Sequence, residues 1–179
     1  MACQSDPFCC QRYGCGASPP CHLPLPCLPL CPVTPEPPVS ATFQATAQAN
    51  QSLTAATATQ VLFQYPTVGN AVAYTPFTSV FQAPSSGLFR FTVNVAWRAV
   101  ATGNSLQLSL NVAGLNVLTT TSFYTLGLTP NQATAALDGI VALSAGQTVT
   151  VQALGSAATT VLGQVPAPTA LSWFAGNRV

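Results

Sequence analysis

Seven cysteines carry the most reactive chemistry in the chain, and all of them, Cys3, Cys9, Cys10, Cys15, Cys21, Cys27 and Cys31, precede residue 32. A thiol can form a disulfide or, as a thiolate, bind a metal. No Cys-x-x-Cys pair occurs and the sole histidine is His22, so zinc held by Cys9, Cys10, Cys15, Cys21 and His22 is the weaker reading. An odd number of cysteines cannot pair completely within one chain, which leaves at least one free or bonded to another subunit. Disulfides between subunits are therefore the expected use, with all seven cysteines as candidates. A disordered tail whose thiols stay reduced is the plain alternative.

Ten of the sixteen prolines precede residue 39. Proline restricts φ and removes a backbone donor, so Ser18-Pro19-Pro20 and the run from Leu23 to Pro32 should be extended or polyproline-II-like. Thr34-Pro35-Glu36-Pro37-Pro38 continues it as a stiff spacer. The composition thus divides the chain into a Cys/Pro-rich connector, residues 1–39, and a domain, residues 40–179.

The domain is poor in reactive side chains. It contains neither histidine nor cysteine, so a Ser-His-Asp or Cys-His site lacks its base or nucleophile. Asp138 is the only acid after Glu36, so one chain cannot supply the carboxyl pair of glycosidase chemistry. Beside Gly139, Asp138 reads as a turn or strand-edge residue making local backbone hydrogen bonds rather than as an ion ligand. Gly103, Gly114, Gly127 and Gly139 are isolated and mark strand ends, so there is no phosphate loop. No catalytic residue, metal or cofactor is expected, and the chain reads as a protein that is not an enzyme.

Charge narrows the partners. Only 4% of residues are charged, against about a quarter in ordinary globular chains. The cations are Arg12, Arg90, Arg98 and Arg178, and the anions Asp6, Glu36 and Asp138. Nucleic acids and anionic membranes need a basic face that these residues do not supply. No apolar run approaches the roughly 20 residues of a membrane-spanning helix. The opening residues Met1 to Asp6 lack a basic region followed by an apolar core, so no secretory signal peptide is expected.

The elements that would position any site are strands. Phe89, Phe91, Val93, Val95 and Trp97 alternate with Arg90, Thr92, Asn94 and Arg98, the period of a half-buried strand. Leu106, Leu108, Leu110 and Val112 repeat the device, as do Val149 and Val151. Turn-forming residues separate them at Ala83-Pro84-Ser85-Ser86-Gly87, Thr102-Gly103-Asn104, Leu128-Thr129-Pro130-Asn131 and Ser144-Ala145-Gly146. Roughly eight to ten strands and no sustained helical period predict an all-β sandwich. Trp97, Tyr124, Trp173 and Phe174 read first as core and second as a carbohydrate-stacking or receptor surface.

Residues 77–91, Phe77-Thr78-Ser79-Val80-Phe81-Gln82-Ala83-Pro84-Ser85-Ser86-Gly87-Leu88-Phe89-Arg90-Phe91, resemble the C1q-domain signature of phenylalanine, alanine-proline, glycine, aromatic, x, phenylalanine. Further segments follow in family order. Ala41 to Ala45 resembles the opening strand, Val61-Leu62-Phe63 with Tyr74 the next, and Gly139 to Val149 the late hairpin. Gln147 stands where the family commonly has aspartate, and Leu171 to Gly176 matches the closing strand only loosely. The resemblance covers residues 41–176. It implies a C1q/TNF-like jelly roll of about ten strands, associated as a homotrimer. Spore-surface and viral proteins with such domains are known. The expected role is therefore a structural subunit of an extracellular fibre, spore surface or appendage, or virion, self-assembling further through the connector. A knob that binds a surface receptor or glycan is the alternative.

Overall fold

Alternation along the sequence becomes alternation of burial. Phe89, Phe91, Val93, Val95 and Trp97 are all buried, while Leu88, Arg90 and Arg98 between and beyond them are exposed. The computed structural model describes residues 41–69, 73–98, 101–124, 132–163 and 171–179. The predicted connector, with its seven cysteines and His22, lies outside the described residues. So do Gly127 and the turn expected at Leu128 to Asn131.

Thirteen strands form among the described residues: β1 (Thr42–Thr46), β2 (Gln51–Leu53), β3 (Thr59–Gln60), β4 (Tyr65–Gly69), β5 (Tyr74–Thr75), β6 (Val80–Gln82), β7 (Gly87–Arg98), β8 (Ser105–Val112), β9 (Leu115–Phe123), β10 (Gln132–Leu143), β11 (Thr148–Gly155), β12 (Thr159–Val161) and β13 (Trp173–Arg178). The count exceeds ten because short strands share one edge of a long one. On one edge β7 pairs with β13 and then β12, and on one edge β11 pairs with β6 and then β3.

Every named pairing between these strands is antiparallel. One sheet has seven strands, with β10 at one edge, then β7, then β13 and β12, then β1 and β2, and β4 beyond β1. The other has six, in the order β5, β6, β11, β8, β9, with β3 also on β11. β8 turns into β9 through Ala113 and Gly114, both at positive φ (50° and 93°), the twist a two-residue hairpin requires. The Asn111 side-chain oxygen accepts the Gly114 N–H at 2.9 Å and closes that turn.

Between the sheets the apolar rows meet. Phe43 stacks on Tyr74 with ring centroids 4.5 Å apart and meets Phe174 edge-on at 4.8 Å, while Phe81 packs edge-on against Phe89 and Phe91. Such offset and edge contacts suit the ring quadrupole as well as removing apolar area from water. Gly176 makes the cluster possible, because a Cβ there would strike the rings of both Phe43 and Phe91.

Three expectations need correction. Val61 and Phe63 are fully buried but belong to no strand; they lie between β3 and β4, tied to β11 by one bond from the Val61 N–H to the Val151 carbonyl (2.9 Å). Gly139 does not mark a strand end: it lies inside β10, where Leu118 of β9 packs onto its backbone and leaves no room for a side chain. Gly139 to Val149 does not form a hairpin, since β10 pairs with β7 in one sheet and β11 with β8 in the other, whereas Leu171 to Gly176, the loosest match, does supply a closing strand, β13, between β7 and β1.

Candidate functional site

The most distinctive surface is the outer face of the seven-stranded sheet. Strand pairing sets its rows. Ala136, Asn94, Trp173, Thr46 and Tyr65 lie side by side across β10, β7, β13, β1 and β4. Asp138, Thr92, Ala175, Gln44 and Val68 form the next row, and Ile140, Arg90, Asn177 and Thr42 the one after. Tyr65, Val68, Leu88 and Ile140 are each more than half exposed, and Trp173 is half-buried. Large apolar side chains thus stand in water over this face, among neutral polar neighbours.

One ion pair crosses this face. Arg90 donates from Nε to Asp138 Oδ1 at 3.0 Å and from Nη2 to Oδ2 at 2.5 Å, and the Thr92 hydroxyl lies 3.3 Å from Oδ1. The two-pronged geometry suits a guanidinium and a carboxylate. The hydrogen bonds from Arg90 hold the Asp138 carboxyl below its ordinary value, and the same bonds raise Arg90. The reading of Asp138 as a turn or strand-edge residue with local backbone bonds holds in part: it lies on the edge strand β10 and its carboxyl accepts from the Gly139 backbone, but its main partner is a side chain 48 residues away.

The other candidate residues separate. Trp97, Tyr124 and Phe174 are buried, as the core reading expects, and only Trp173 reaches the outer face. The cysteines and His22 are outside the described residues, and no group of metal-binding side chains occurs among the described ones. Gln147, where aspartate is common in the resembling family, accepts the Ser144 N–H at 2.7 Å, so its amide does the turn-closing work of a carboxylate. The six-stranded sheet carries no charged side chain on its strands. Near one end of it an open hollow of about 300 Å³ is lined by Ala56, Ser105, Gln107, Thr121, Leu154, Gly155 and Ser156. Sequence reasoning missed the assembly of the outer face, since its rows join residues from five separate stretches.

No family model and no curated protein sequence matches the chain. Among solved structures, the Eiger TNF from S. frugiperda is similar, with a TM-score of 0.57 and 12% identity over 78% of this chain and 92% of that one. The domain has the C1q/TNF-like jelly-roll fold. In this jelly roll the segment expected as the late hairpin, Gly139 to Val149, instead crosses between the sheets: β10 pairs with β7 in one and β11 with β8 in the other, with the turn at Ser144 to Gly146 between them. The signature segment spans β6 and β7 with the Ala83-Pro84 turn between them. Among the described residues no helix is long and apolar enough to cross a membrane.

Proposed function

We propose that the chain is a non-enzymatic structural subunit of an extracellular fibre, appendage or particle surface. Its jelly-roll domains associate as homotrimers through the outer face of the seven-stranded sheet, and the Cys-rich segment 1–39 joins one trimer to the next. The exposed apolar rows of that face, which need a cover in water, carry this reading. Among the cysteines the odd count supports disulfides between subunits, and the proline runs, whose residue type favours extended backbone, suit a strand added to a neighbour's sheet edge. A spore surface or appendage is the proposed setting, with a virion as the alternative.

Electron microscopy of the purified full-length protein before and after reduction tests the whole of this reading. Filaments or layers that loosen on reduction are expected, and removal of residues 1–39 should leave soluble trimers. Dispersed trimers under both conditions would instead favour a knob that binds a receptor or glycan. The uncharged hollow, which sets Ser105, Gln107, Thr121 and Ser156 beside Ala56, Leu154 and Gly155, supports that second reading, because a neutral ligand needs no charged partner.

A further inference from the structure

Among the side chains of residues 40–179 there is a single carboxyl group, Asp138, with no histidine, cysteine or lysine. Asp138 is thus the one side chain of the domain of a type that takes up a proton as the solution turns acid.

Its position matters as much as its solitude. The Arg90–Asp138 pair lies on the face proposed above as the contact between copies, among neutral side chains. Among the described residues no other charge stands ready to replace it. On β7 the next cation is Arg98, at the far end opposite Gln132. Beyond β7, β13 offers Ala175 and Asn177, while its Arg178 reaches the Ser86 carbonyl at 3.2 Å. On the other side, β8 and β9 carry no charge, and Tyr65 on β4 is the remaining titratable side chain of the face.

We infer that Asp138 makes assembly over this face conditional on pH, the closed Arg90–Asp138 pair permitting a second copy to cover it and the neutral carboxyl releasing that copy. The inference rests on the proposed homotrimer. In the free subunit the two side chains are 55% and 45% exposed, so water solvates Arg90 once Asp138 is neutral and the fold loses little. Under a second copy that water is gone, and a guanidinium without its carboxylate is a buried, unpaired charge. Acid therefore separates the subunits before it unfolds them. Because Arg90 lowers the carboxyl's value, the contribution of the pair is complete above the ordinary carboxylate range and is lost as pH falls through the lowered value.

Sedimentation velocity of the full chain, kept reduced, from about pH 7 to about pH 2 tests this, with near-ultraviolet circular dichroism reporting the packed aromatic core. The wild type should be trimeric at neutral pH and dissociate in acid with its dichroism intact. Asp138→Asn should associate on the order of tenfold more weakly at neutral pH. The double variant Arg90→Leu with Asp138→Leu should stay trimeric throughout. A wild type that remains trimeric in acid, or a double variant with the wild-type acid midpoint, overturns the inference and leaves the trimer standing. A wild type that is monomeric at neutral pH removes the contact face itself, and the inference with it.

Discussion

Every charged side chain among the described residues belongs to a strand of the seven-stranded sheet: Arg90 and Arg98 on β7, Asp138 on β10 and Arg178 on β13. The six-stranded sheet presents Gln, Ser, Thr and Asn on β8 and β11, with Leu115, Val117 and Phe123 exposed along its edge strand β9. The two outer faces therefore keep apart two problems. One combines exposed large apolar residues with a charge pair already neutralised within the subunit, and so loses least by being covered. The other sets hydroxyl and amide groups on β8 and β11 beside an apolar edge strand, β9, and carries no charge. Their inner faces show no such difference, since both sheets donate aromatic rings to a single cluster.

The comparison breaks first at the core, where the sheets should behave alike. Phe91→Ala on one sheet and Phe81→Ala on the other should each lower unfolding free energy by about 3–5 kcal/mol, read by denaturant titration. A much smaller loss from one sheet would show that the cluster is not shared.

Alkali probes the same interface differently. The Tyr74 hydroxyl donates to the Phe63 carbonyl at 2.7 Å, and burial pushes its pKa up to about 12 despite an opposing hydrogen bond with Ser79. A raised value means that stability is complete below the unfolded tyrosine value near 10 and is lost as pH rises from there towards 12, by about 3 kcal/mol in all. Tyr74→Phe should flatten this alkaline loss while lowering stability at neutral pH by about 1 kcal/mol for the lost hydrogen bond. An unchanged alkaline profile would exclude Tyr74 as its source.

The outer faces should then part. Ala136→Arg, placed beside Asn94 and Trp173, should weaken subunit association by about 2–3 kcal/mol without changing the fold. Gln107→Arg, exposed on β8, should leave subunit number unaltered. Equal effects in sedimentation would place the contact elsewhere. The smallest effect is expected at the β5–β6 turn, where Phe77 is 84% exposed while the Ser79 hydroxyl accepts the Phe63 N–H at 2.7 Å and holds the loop. Phe77→Ser should change stability by less than about 0.5 kcal/mol, because the exposed ring makes little of the packing.

Strand β7 is legible in the residue order alone, because alternation is a local property and each apolar residue announces its own side. The segment Val61 to Phe63 reads as a strand that does not form, since its two buried residues show the same spacing as a strand but lie in a connection. Gly139 misleads for the opposite reason: an isolated glycine looks like a turn, while here it admits Leu118 from a neighbouring edge strand. Asp138 reads as a strand-edge residue, and β10 does lie at a sheet edge, but its partner comes from another strand.

By itself the sequence determined that the domain is built of half-buried strands, that its residues 40–179 lack the imidazole and thiol of nucleophilic catalysis, and that its charge is nearly absent. These follow from residue type and from the two-residue period of a strand, both independent of distant contacts. Only the tertiary structure decided which strands lie side by side, and hence that Arg90 meets Asp138 and that Tyr65, Trp173 and Ile140 share one face. The period tells a side chain which way to point; the order and register of pairing decide what stands beside it.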